Sequence, residues 1–197
     1  MSGRGVRAAC LMVVGMLATA CATSAPTRVY VLGSTTPTET AKGAPCIVLG
    51  IGPVEIPGYL DRPQIVTRLS SNEIQPSDFD QWGEPLAQGI GRALADNLAS
   101  QLCAQRVEYY PWKGSLTVDY QVRVRVTRFE GHLGGSAELV AQWTLVGSDG
   151  KKVLAEKSSS LSAPAVGSGY EGLVAAQSKT LEKLSVEIAS EIKAVSK

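Results

Sequence analysis

Few residues in this chain have the chemistry to act as a site, and cysteines lead them. The four are Cys10, Cys21, Cys46 and Cys103, beside a single histidine, His132. Cys21 follows three zones: basic Arg4 and Arg7, an apolar run from Ala8 to Leu17, then Ala18-Thr19-Ala20. That order is a secretory leader, too short to cross a bilayer as a mature helix. A Cys placed directly after small residues matches a bacterial lipobox, in which the thiol is diacylated and the new amine acylated after cleavage. The fit is incomplete, because Ala18 stands where a larger aliphatic is usual and Leu17 is one place early. An ordinary secreted protein with an incidental Cys and a lone transmembrane anchor remain the alternatives. Several acyl chains hold a protein at a membrane where one is marginal. Residues 1–20 are therefore expected to be a signal peptide and residues 21–27 a lipidated Cys with a flexible tether. Residues 28–197 are expected to form one folded domain.

Cys10 leaves with the leader. Cys46 and Cys103 then remain in an oxidising compartment, where a disulfide between them stands beside two buried free thiols behaving as small hydrophobes. No serine nucleophile elbow, phosphate-cradling loop or zinc-spaced His/Cys set is present, so no catalytic residue, metal or cofactor is assigned. His132 sits in a glycine-rich turn and reads as a solvent-exposed residue.

Charge excludes further classes. The 197 residues carry 19 basic and 18 acidic side chains. Without Arg4 and Arg7 the balance is 17 to 18. Nucleic-acid binding and electrostatic docking on anionic lipid both need clustered Lys and Arg, which this chain lacks. With 44% hydrophobic residues the body has enough apolar material for a core.

The elements that must position these residues follow from periodicity. Short strands are expected over 28–33, 46–51 and 64–69, with 74–76 pairing back as a hairpin arm. Residues 53–64 carry Pro53, Pro57, Gly58 and Pro63 and read as irregular. A helix is expected from near Asp80 or Gly83 to Leu102, with Leu86, Ile90, Leu94, Leu98 and Leu102 on a face of about 160°. Asn97 and Gln101 fall inside that arc and need hydrogen-bond partners if buried, whereas Cys103 projects away from it. Residues 106–110 form another strand. Val118 to Val126 alternate strictly, and residues 137–146 do so again. Asp149-Gly150 marks a hairpin, and the return strand over 151–161 fades into Ser158-Ser159-Ser160. Together these predict a three-stranded antiparallel meander. The last helix spans 170–195 with a seam of Leu173, Gln177, Leu181, Leu184, Ile188, Ile192 and Val195, expected to pack on the sheet. The predicted class is α+β: two layers, a mostly antiparallel sheet against two amphipathic helices.

One connector is chemically unusual: Ile56-Pro57-Gly58-Tyr59-Leu60-Asp61-Arg62-Pro63-Gln64. Its prolines and glycine fix its shape, and Tyr59, Leu60 and Arg62 are types that anchor interfaces. A bulged strand with Tyr59 and Leu60 buried is the competing reading.

This stretch, continued through Ile65-Val66-Thr67-Arg68, resembles the signature of the PqiC (YmbA-like) lipoproteins. Asp80-Gln81-Trp82-Gly83-Glu84-Pro85-Leu86, Asn97-Leu98, Tyr110-Pro111-Trp112 and Tyr170-Glu171-Gly172-Leu173-Val174-Ala175-Ala176 extend the likeness over residues 28–195. The resemblance implies an outer-membrane lipoprotein facing the periplasm, an auxiliary component of ABC-type and MCE-type intermembrane lipid transport. It implies no enzymatic activity, a ring-like homo-oligomer, and a PqiB-like, periplasm-spanning MCE tunnel as partner. On that reading Cys21 carries the lipid, and Tyr59, Leu60, Asp61, Arg62 and Gln64 lie on or support the contact surface. A periplasmic carrier with its own apolar lipid cavity is the second reading.

Overall fold

The computed structural model describes residues 25–34, 46–111 and 117–196. The leader, Cys21, residues 22–24 of the tether and Trp112 lie outside the described residues.

Long alternating stretches build the larger sheet. Strands β6 (Tyr120–Gly131), β7 (Ser136–Gly147) and β8 (Val153–Pro164) form the expected antiparallel meander. Val122, Val124 and Val126 point to the same face as Leu139, Ala141, Trp143 and Leu145, and all seven are buried. Two more strands, β2 (Ile47–Glu55) and β5 (Ala104–Tyr109), extend the sheet by parallel pairing, in the order β5-β2-β6-β7-β8. A second sheet of three strands has the order β1-β4-β3, from β1 (Arg28–Tyr30), β3 (Gln64–Arg68) and β4 (Ile74–Trp82). Helices α1 (Leu86–Gln101) and α2 (Tyr170–Val195) cover the larger sheet and pack on each other. The α+β class stands, with antiparallel pairing in the longest ladders and parallel pairing where chain order alone gives no hairpin signal.

The α2 seam packs inside the molecule. Leu173, Leu181, Leu184, Ile188 and Ile192 are buried, and Val195 is half-buried against the same cluster. Gln177, the polar member of the seam, is also buried and donates from Nε2 to the Phe129 carbonyl at 2.9 Å. It pins α2 to β6. Asn97 is buried on α1, and its Oδ1 accepts from Ser34 Oγ at 2.8 Å.

Several boundaries differ from the sequence expectation, each for a physical reason. Strand β4 runs through Asp80 to Trp82, where a helix start was expected, and α1 begins only after Pro85. The strand tolerates Pro76 because β1 pairs only with residues 80–82, leaving one side of β4 open lower down. Strand β2 likewise continues past Pro53 to Glu55. The serines do not end β8: Ser159 is buried and its Oγ accepts from the Trp143 indole N–H at 3.0 Å. The same hydroxyl bonds Glu187 of α2. Finally, α1 ends at Gln101, so Cys103 is no longer on a helical face. Its carbonyl accepts from Ile47 N–H at 3.0 Å, and it is disulfide-bonded to Cys46 with Cα atoms 4.6 Å apart.

The start of α2 is tightly seated. A Cβ at Gly172 would lie 2.0 Å from the Val166 carbonyl oxygen. Gly172→Ala is therefore expected to destabilise the fold by roughly 1–3 kcal/mol through overpacking, read as a lower urea midpoint at unchanged m-value.

Candidate functional site

The unusual connector divides its residues between two tasks. Between β2 and β3 the chain makes a tight turn, in which Leu60 N–H bonds the Pro57 carbonyl at 2.9 Å and Arg62 N–H bonds the Leu60 carbonyl at 2.9 Å. Leu60 is buried in the main core. Tyr59 is half-buried, and its hydroxyl donates to Glu130 Oε2 at 2.9 Å. Asp61 and Arg62 face outward, and Gln64 is half-buried at the start of β3.

What Tyr59 reaches is the most demanding group in the molecule. Glu130 is a carboxylate with 0% exposure. It also accepts from Arg68 Nε at 2.7 Å and from the Phe129 N–H at 2.9 Å. Burial pushes its pKa up, but hydrogen bonds from Arg68, Phe129 and Tyr59 outweigh that and hold it below the ordinary carboxylate value. Tyr59 responds oppositely: burial first, then the Glu130 charge, raises its hydroxyl to about 12. Arg68 comes from β3 of the small sheet and Glu130 from β6 of the large one, so the cluster joins the two sheets under the turn. A second carboxylate works similarly. Asp80, 2% exposed, accepts from Arg28 Nε at 2.8 Å, Tyr30 Oη at 2.9 Å and Ser77 Oγ at 2.9 Å. It ties β1 to β4. Burial raises its pKa too, and the bonds from Arg28, Ser77 and Tyr30 again prevail and lower it.

Beside the turn, between its Asp61–Pro63 end and the end of β4, lies an open groove of about 380 Å³. Asp61, Arg62 and Pro63 form one wall; Trp82, Gly83, Glu84, Pro85 and Leu86 form the other. The two walls are stitched where Trp82 N–H donates to the Pro63 carbonyl at 2.7 Å. Two stretches that the sequence reading quoted separately thus meet on one surface. Glu84 is fixed by Arg92 Nη2 at 2.6 Å, and the same Nη2 donates to the Leu32 carbonyl at 2.8 Å. The groove is apolar along its floor and charged along its rim, a surface suited to gripping a side chain or peptide segment. It offers no nucleophile beside a base. His132 is exposed in the β6–β7 turn, and no cluster of three metal-ligating side chains occurs among the described residues.

The family described as ABC-type transport auxiliary lipoprotein component matches residues 30–189. The chain belongs to this family, that of the PqiC/YmbA-like lipoproteins. It is a family of transport auxiliaries, not a class of enzymes. Solved structures show the same fold. An uncharacterized protein is similar at TM-score 0.67 and 24% identity, covering 85% of this chain and 99% of its own. Protein XCC0632 from Xanthomonas campestris, of the DUF330 family, is similar at TM-score 0.68 and 17% identity, covering 86% and 96%. No curated protein matches. Among the described residues no helix is long and apolar enough to cross a membrane.

Arg68 and Asp80 lie in the family-like stretches quoted from the sequence but had no role there, and Glu130 lies outside them. One signal was present: the apolar alternation of β6 slips after Val126, so Phe129 rather than residue 128 resumes the core face. The structure places a bulge there, between Val126 and Arg128.

Removing Arg68 takes the closer of two cations from a buried carboxylate and leaves only Arg128 Nε at 3.3 Å, so Arg68→Ala is expected to cost about 3 kcal/mol. Tyr59→Phe, losing one bond to a charged group, is expected to cost about 1.5–3 kcal/mol. Chemical denaturation measures both, and equal stability of Arg68→Ala and wild type would refute the assignment. Both carboxylates have folded pKa values below their unfolded ones of about 4. Their contribution is complete above that value and disappears as pH falls through the lower folded values. Melting temperature should therefore drop below about pH 4, and Glu130→Gln should flatten that acid slope from a lower starting stability.

Proposed function

We propose that this family member is a non-enzymatic docking subunit for intermembrane lipid transport, anchored at the outer membrane through acylated Cys21. Its folded body receives the far end of a PqiB-like, periplasm-spanning MCE tunnel, as a ring-like assembly of identical copies, and so supports envelope integrity. The observation that carries this is the groove at Asp61–Pro63 and Trp82–Leu86, built from two separate family-like stretches, with the turn that leads into it braced by the Tyr59–Glu130 bond. Such bracing pre-organises a contact surface, which spares the ordering cost of association.

Packing favours docking over carrying a lipid. The space between the large sheet and the helices is filled by Trp143, Phe129, Leu139, Leu145 and Leu173, each at most 1% exposed. A carrier needs an apolar cavity of several hundred Å³ to bury a ligand.

The test separates contact from support. Asp61→Ala/Arg62→Ala touches only exposed side chains and should leave the melting temperature within a degree or two. It is expected to cut copurification of the MCE partner at least tenfold, the loss typical of a hot-spot pair. Undiminished copurification and unchanged oligomer size in the folded variant remove the groove from the mechanism.

A further inference from the structure

The molecule has two distinct ends, and three loops crowd one of them. The β3–β4 turn begins at Leu69, 52% exposed; the β6–β7 turn carries Leu133, 43% exposed; the β8–α2 loop carries Val166, 85% exposed. Each is a lone large aliphatic among small or polar neighbours: Ser70-Ser71-Asn72, His132 with Gly134-Gly135, and Gly167-Ser168-Gly169. The loops are adjacent. Ala165 N–H donates to the Gly135 carbonyl at 2.9 Å, and a Cβ at Gly134 would sit 3.7 Å from Ser168 Cα. Arg68, the residue before Leu69, bonds Glu130, next to the β6–β7 turn. Single exposed aliphatics are ordinary on a surface. Three on neighbouring loop tips, none used by the fold, are not.

Strand β1 pairs with Asp80–Trp82, and read backwards it leads toward the same end. Gly33 N–H donates to Ser178 Oγ at 3.2 Å, while Tyr30 lies within electrostatic reach of Glu171 and Arg28 of Tyr170. Read backwards from Gly33, the segment therefore follows α2 toward its N-terminus and the Val166 loop. Strand β1 is parallel to β4, whose first residue, Ile74, pairs with Arg68 beside that same end. Six residues lie between Cys21 and Arg28, and the seven steps of that tether reach about 25 Å at most.

We infer that Leu69, Leu133 and Val166 form a lipid-facing tip that dips into the bilayer surface carrying the Cys21 anchor. The inference rests on the proposed acylation of Cys21. A short tether confines the body near the lipid, so even the small apolar area of three side chains is held at high effective concentration against the interface. The near-neutral charge of the mature chain leaves apolar contact as the available attraction. The geometry also sets a polarity. Residues 63 and 82 pair at the far end of the small sheet from Arg68 and Ile74, so the groove points away from the tip.

The mature, acylated full chain is reconstituted in vesicles of phosphatidylethanolamine and phosphatidylglycerol, one quarter of the acyl chains brominated. Tryptophan is introduced singly as Leu69→Trp, Leu133→Trp, Val166→Trp and, at the opposite end of β8, Val153→Trp, itself exposed. Fluorescence above the native tryptophan background is compared with and without bromine. Quenching of the introduced fluorophore by at least half at 133 and 166, with none at 153, is the expected result. The Leu69→Trp signal guards against local disturbance at either other tip. Equal quenching at all positions, or none at the three tips in protein that floats with vesicles, overturns the inference. Tips shielded from iodide yet unquenched by bromine would mean a second copy covers them, which also overturns it. Protein that does not float with the vesicles refutes the Cys21 anchor, and the tip falls with it.

Discussion

A carboxylate without water must be surrounded by donors, and Glu130 makes that demand at the junction of the two sheets. Its partners come from separate parts of the chain: Arg68 from β3, Tyr59 from the turn after β2, the Phe129 amide from β6 itself. Apolar packing alone would tolerate small shifts of one sheet over the other. Directional bonds to a buried charge do not, because each lost bond exposes a desolvation penalty. The cluster therefore fixes where the small sheet sits, and with it the turn that carries Asp61 and Arg62. Asp80 repeats the device one strand over, holding β1 against β4 through Arg28 and Tyr30. A thin three-stranded sheet needs such fastening, since it contributes few side chains to the main core.

The meander and both helices were legible because their signals are local. Alternation in β6 and β7 and the 4-4-3 seam of α2 state which faces are buried without any knowledge of neighbours. Even Gln177 fits, since a helix seam accepts one amide when a carbonyl such as that of Phe129 waits opposite. The parallel pairings were not legible. They join strands with α1 or longer stretches between them, and no turn residue marks them. Strand β4 was misread for a related reason: Pro76 and the run of polar residues look unlike a central strand, and the strand is central only over its last three residues.

The site was half legible. The connector stood out by composition, and the family-like stretches around Trp82 stood out by resemblance. That the two share one groove depends on the register of β3 against β4, which places Pro63 beside Trp82. No single-chain pattern states that register. The division of Tyr59 and Leu60 inward from Asp61 and Arg62 outward likewise depends on the tight turn at Pro57–Arg62, and on Glu130 lying beneath it. Glu130 itself escaped notice because the bulge after Val126 gives the core face to Phe129 and turns Glu130 to the opposite face, where Tyr59 and Arg68 meet it.

These features favour a scaffold over a catalyst on physical grounds. Enzymes place perturbed titratable groups in clefts reached by substrate. Here the two buried carboxylates are each saturated by donors and lie beneath the surface, so their depressed pKa values signify ion pairing within the fold. The accessible groove has charge at its rim and proline and aliphatic side chains along its walls, with Glu84 already engaged by Arg92. Its rigidity comes from the turn that Tyr59 fastens to Glu130 and from the Trp82–Pro63 bond that joins its walls.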